Sequence, residues 1–152
     1  MRKLQIVPLL GILTLGGGQA LAQNVGAPRN ARSVVVPANV PWTYTGIHVT
    51  RGQWLRFEPS GEILLSFDSG DVAAAAGAKT GRMNPKASIP SIHLGALIGR
   101  VNSGKPFLIG NTTQALQMPA TGTLFLGIND DEVRDNSGNY VVKVWETSPL
   151  ER

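Results

Sequence analysis

Period-two apolar patterning in short runs, each fenced by turn residues, is the strongest constraint this chain places on its fold. Trp54-Leu-Arg-Phe-Glu58 alternates, with Leu55 and Phe57 on one face and Trp54, Arg56 and Glu58 on the other, which is the signature of a half-buried strand. Ser33 to Val36, Tyr44 to Thr50, Glu62 to Phe67, Leu94 to Val101, Pro106 to Ile109, Thr123 to Ile128 and Tyr140 to Trp145 are further strand candidates. They are rich in the β-branched and aromatic residues that suit a pleated surface. Arg51-Gly52, Pro59-Ser60-Gly61, Asn102-Ser103-Gly104, Pro119-Ala120-Thr121-Gly122 and Asn136-Ser137-Gly138 punctuate them. No long window carries a 3.6-residue period bounded by caps. The expected fold is all-β, a jelly-roll β-sandwich.

One segment breaks the pattern. Asp68 to Ser91 contains Ala73-Ala-Ala-Ala76, Gly70, Gly77, Gly81, Pro85 and Pro90. The alanines allow one helical turn, but the glycines exclude a long helix, so the expectation is an extended surface loop that is either a specificity loop or an idle insertion.

The N-terminus has the layout of a secretory signal peptide: basic Arg2-Lys3, an apolar stretch from Leu4 to Leu15, and Ala20-Leu21-Ala22 before Gln23. Residues 1–22 are therefore expected to be removed, 23–32 to form a leader and 33–152 a single domain, secreted or periplasmic, with no transmembrane anchor. Cleavage takes the basic count from 14 to 12 against 10 acids, a net charge of about +2. The cations are scattered and no nucleic-acid module is visible. There is no cysteine, so stability is expected to come from the core, with a metal ion that ties loops together as the one further source.

Between the last two strand candidates lies Asn129-Asp-Asp-Glu-Val-Arg-Asp-Asn-Ser-Gly138, with four carboxylates and two side-chain amides. Like charges this close repel unless solvated or shared with a counter-ion. Ca²⁺, which takes six to eight oxygens from carboxylates, amides, carbonyls and water, suits such a loop. An EF-hand is excluded, because counting from Asp130 puts Glu132 and Arg134 at the third and fifth ligand positions and the turn glycine and terminal glutamate are missing.

Gly122-Thr-Leu-Phe-Leu-Gly-Ile-Asn-Asp130, Asp135-Asn-Ser-Gly138 and the alternating last strand resemble the C-terminal half of the calcium-dependent bacterial galactose-binding lectins. The likeness extends to Gly95-Ala-Leu-Ile-Gly-Arg-Val101, Pro106-Phe107 and Gly110, and more faintly to Thr45–Gly52 and Trp54–Phe57. It implies a galactose-binding-domain-like jelly roll with Ca²⁺ on an end loop, where the same ion holds two vicinal sugar hydroxyls. Carried over by residue, Asp130 is the aspartate ligand and Asn136 the amide ligand. Asp135 stands where the family has asparagine. One carbonyl would come from Glu132 or Val133 and another from Val49, and Asp131 would be an extra ligand or a partner to one. In the long loop the family places a histidine and a glutamine on the sugar, whereas this chain offers Arg82 and Asn84 near Lys86. Metal binding is thus implied more firmly than a preference for galactose.

Other residues read blandly. His48 and His93 lack partners at metal-ligand spacing. Trp54 and Trp145 fall on outward registers, and with Trp42 they suit packing better than sugar stacking. No nucleophile elbow or metalloprotease motif is present, and the remaining acids are scattered, so the chain is not expected to be an enzyme. The expected function is calcium-dependent carbohydrate binding, with galactose or another sugar bearing vicinal hydroxyls as partner; a homo-oligomer is compatible with it. The alternative is a structural or protein-interaction sandwich in which calcium ties loops together.

Overall fold

A computed structural model describes residues 27–148, and within them the chain is all-β. The proposed signal peptide and the start of the leader lie outside the described residues. Eleven strands form two antiparallel sheets: β1 (Arg32–Pro37), β2 (Thr43–Val49), β3 (Trp54–Ser60), β4 (Ile63–Leu64), β5 (Val72–Ala74), β6 (Gly77–Ala78), β7 (Leu97–Val101), β8 (Phe107–Leu108), β9 (Leu116–Gln117), β10 (Gly122–Ile128) and β11 (Ser137–Glu146). The larger sheet runs β6-β5-β4-β11-β3-β9 with β1 also paired to β11, and the smaller runs β2-β10-β7-β8.

Alternation sets what each sheet buries. From the larger sheet, Val34, Val36, Leu55, Phe57, Tyr140, Val142 and Val144 face inward; from the smaller, Val49, Leu97, Val101, Leu124, Leu126 and Ile128 meet them. Each such side chain contributes roughly 1.5–3 kcal/mol by leaving water. Tyr140 also ties the layers together, since its buried hydroxyl donates to the Gly95 carbonyl at 2.9 Å. Burial pushes its phenol well above the ordinary range, so it stays protonated. Trp54 and Trp145 do lie on the outer register of their strands, opposite Gln117 and Arg56 respectively.

The segment 68–91 departs in part from expectation. The alanine run is the end of a strand and a hairpin turn, not a helical turn: β5 pairs with β4 through Ile63↔Ala73 and turns back at Ala75-Ala76 into β6 through Ala74↔Gly77. Ala73, Ala75, Ala78 and Ala87 are buried in the core. Small residues are required here because two turns of the chain approach closely. A Cβ on Gly95 would lie 2.5 Å from that of Ala73, and one on Gly77 would lie 2.5 Å from that of His93. Tertiary pairing has overridden alanine's helix propensity, and residues 72–78 are built into the sandwich, whereas 79–91 form the irregular, mostly exposed stretch that was expected.

β10 and β11 are joined by residues 129–136, so the acidic run sits at one end of the sandwich. The connection from β4 to β5 and the stretch 82–85 meet it there.

Candidate functional site

The loop is anchored before it becomes acidic. Asn129 is fully buried, and its side chain spans to the chain leading into β7. Its Oδ1 accepts from the Ile89 amide at 2.9 Å, while its Nδ2 lies 3.0–3.2 Å from the carbonyls of Ile89, Ile92 and His93. Its backbone pairs with Gly95 and Ala96. With its amide spent in this way, Asn129 is a structural pin and not a ligand.

Beyond it the chain turns. Asp130 Oδ1 accepts from the Glu132 amide at 3.2 Å, and Asp130 Oδ2 accepts from Asn136 Nδ2 at 3.0 Å. Asn136 Nδ2 also reaches the Ala38 carbonyl, and the Asn136 amide donates to Val133 O. The two ends of the loop are thus clipped together. Burial raises the Asp130 carboxyl above its ordinary pKa, against the hydrogen bond from Asn136 that lowers it. Two oxygens are left without donors: Asp135 Oδ1 and Asn136 Oδ1 are buried and have no hydrogen-bond partner. Acceptors stranded in this way each cost on the order of 1–3 kcal/mol unless something positive reaches them.

These groups border an open depression of about 300 Å³ lined by Asp130, Asp131, Asp135, Ser66, Met83 and Asn84, among others. Asn84 Nδ2 donates to Asp131 Oδ1 and Asn84 Oδ1 accepts from the Lys86 amide, so Asp131 points to the far wall rather than to the clip. Arg82 also lines the depression, but its guanidinium is paired with Asp71 at 2.7 Å. The Glu132 carboxylate is exposed and holds Arg134 at 2.9 Å. Val133 O is already engaged by Asn136, whereas no hydrogen bond among the described residues ends on Glu132 O.

The residues expected at the site therefore divide. Asp130, Asp131, Glu132, Asp135, Asn136, Arg82 and Asn84 are brought together, and Val49 is not. Val49 pairs with Gly122, at the opposite end of β10 from Asp130, about 25 Å away at the rise of a strand. The register of β2 on β10 corrects that assignment, and Leu65 and Ser66 line the depression in its place. The proximity of Ser66 was not visible from sequence, since only the β4–β11 pairing carries it there. Among the described residues no three His, Asp or Glu side chains converge as a complete cage. A cation held here would rest on the carboxylates of Asp130 and Asp135 and the Asn136 amide oxygen, with carbonyl and water oxygens making up the set. Oxygen donors of this kind suit a hard ion such as Ca²⁺.

Two antiparallel sheets with an acidic clip at one end make up a β-sandwich. A similar solved structure is described as "EclA N-terminal domain; PllA-like lectin", with TM-score 0.61 and 24% identity over 79% of this chain and 100% of that one. That likeness establishes the fold. No protein-family model matches the chain, and no curated protein matches it.

Proposed function

We propose that this protein is an exported carbohydrate-binding domain whose acidic clip holds Ca²⁺ and, through it, a sugar. The observation that carries the reading is the pair of donor-less buried oxygens, Asp135 Oδ1 and Asn136 Oδ1, beside a carboxylate whose burial already disfavours its charge. A cation satisfies all three at once. Bound there, Ca²⁺ would supply coordination positions that exchange waters for two vicinal hydroxyls, because it tolerates variable geometry. The lectin-like fold and the basic-apolar-small N-terminus support the same reading.

The protein's own residues orient the ligand. Asn84, fixed between Asp131 and the Lys86 amide, offers a polar wall, and exposed Met83 gives an apolar one. Trp54 and Trp145 cannot stack on a sugar at this site. Trp145 lies nine residues along β11 from Asn136, about 30 Å at strand rise, and Trp54 accepts from Thr147 at that same remote end. Retention on an array of sugars with and without chelator tests the proposal. Calcium-dependent retention of ligands with a vicinal hydroxyl pair, lost for analogues deoxygenated at either position, is the expected result. A calcium-stabilised protein that retains no sugar would instead favour a structural ion.

A further inference from the structure

We propose that the outer face of the smaller sheet is a second, calcium-independent site for an anionic saccharide, a uronate oligomer whose carboxylate is taken by Arg100. Tyr44, Phe125 and Arg100 form one cross-strand row over β2, β10 and β7, because Phe125 pairs with both of the others. Trp42, two residues before Tyr44 on the same face, completes the cluster. The Arg100 guanidinium lies 4.3 Å from the Trp42 ring centroid and 5.4 Å from that of Phe125. Tyr44 meets Phe125 edge-on at 5.8 Å and is 69% exposed.

The rings hold the guanidinium in place, but nothing neutralises it. Arg100 Nε is buried without a hydrogen-bond partner, and no carboxylate among the described residues forms an ion pair with Arg100; the four ion pairs use Lys79, Arg82, Arg134 and Lys143. The guanidinium is therefore oriented in advance and has no acceptor among the described residues; its buried Nε is out of a ligand's reach, so a planar carboxylate would take the two terminal amino groups end-on. The surroundings agree in sign. β2, β7, β8 and β10 contain no Asp or Glu, whereas His48, Arg51, Arg100 and Lys105 lie on them or their turns. The described acids lie on β3 and β11, between β3 and β5, or in the 130–135 loop at the far end of β10, and none lies on the strands of this face.

Two other occupants fit less well. A peptide added as a strand along the free edge of β2 meets an irregular backbone, with Gly46 at φ +70° and a register break between Thr123 and Phe125. A second copy docked face to face would set like charges together. A sugar ring with a carboxylate matches the face, since its apolar side packs on the exposed Tyr44 ring and its charge meets Arg100.

The test is titration calorimetry on the whole protein in chelator, with a galacturonate oligomer, its neutral galactose counterpart and a sulfated one as ligands. Expected are binding of the uronate alone, weakening as salt rises, and a loss of roughly tenfold or more in Arg100→Gln. Arg100→Lys should lose most of the affinity as well, because the fork is gone. Tyr44→Ala, at an exposed position, should weaken binding with unchanged melting temperature, and so decides the matter if the arginine variants fold poorly. Asp130→Asn should leave this binding intact, which separates it from the calcium site. Absence of uronate binding, equal binding of the neutral or sulfated oligomer, or unchanged affinity in Tyr44→Ala would overturn the proposal.

Discussion

Asp130 carries the charge logic of the clip. Its folded pKa is raised by burial, so between its unfolded and folded values the native state holds the extra proton. Stability contributed by this group therefore falls as pH rises through that window, and the penalty persists above it. On the proposed reading, bound calcium would compete with that proton and remove the penalty. The calcium-induced rise in melting temperature should thus shrink as pH is lowered through the raised pKa, which melts at successive pH values would show. Asp130→Asn removes the charge penalty but also one of two accepting oxygens, so its stability in chelator should stay near the wild type's, and it should gain nothing from calcium. Asn129 makes the opposite case. Asn129→Ala strands the Ile89 amide and three carbonyls and should cost about 2–4 kcal/mol in denaturant unfolding, with or without calcium. Asp130, Asp135 and Asn136 were legible as candidates because oxygen donors crowd one stretch. The role of Asn129 was not, because its partners lie 36–40 residues earlier and nothing local marks them.

At the level of elements, legibility follows length. β1, β2, β3 and β10 are visible as period-two runs of β-branched and aromatic residues, and β11 is too, although it starts three residues before the expected Tyr140. β4 and β8 fall inside the expected runs Glu62 to Phe67 and Pro106 to Ile109 but keep only two residues of each, while β6 and β9, also two residues long, are too short to show a period and exist because a neighbour accepts their hydrogen bonds. The misplacement of Val49 has the same origin. Residue composition names the strands, whereas only the β2–β10 register tells which end of β2 reaches the clip. β5 and β6 were hidden because alanine and glycine advertise neither strand nor core, yet close approach demands them. Gly95→Val should consequently destabilise the fold severely: it places a branched side chain at φ +78° against Ala73 and Leu65. Replacing residues 68–91 by a Gly-Ser linker should abolish cooperative unfolding altogether, since it deletes two strands and four buried alanines. A linker variant that melts like the parent would contradict the packing described.

For the molecule as a whole, charge is unevenly spread. The strands of the larger sheet mix cations (Arg32, Arg56, Lys143) with acids (Glu58, Glu146), the smaller sheet carries Arg100 among aromatics and no acid, and four of the described acids gather at the clip end. The clip is the part on which the functional reading depends, and an ion bound there would couple folding to ligand binding. An ion at a hundred times its dissociation constant adds about 2.7 kcal/mol to stability, worth roughly 10 °C in a domain of this size. The most direct measurement is a calcium titration by calorimetry, paired with melts in calcium and in chelator, on the wild type and on Asp130→Asn. The expected result is a single calcium site in the wild type with melts separated by about 10 °C, and neither signal in the variant. Superimposable melts and no binding heat at millimolar calcium would contradict the metal site and, with it, sugar recognition through an ion.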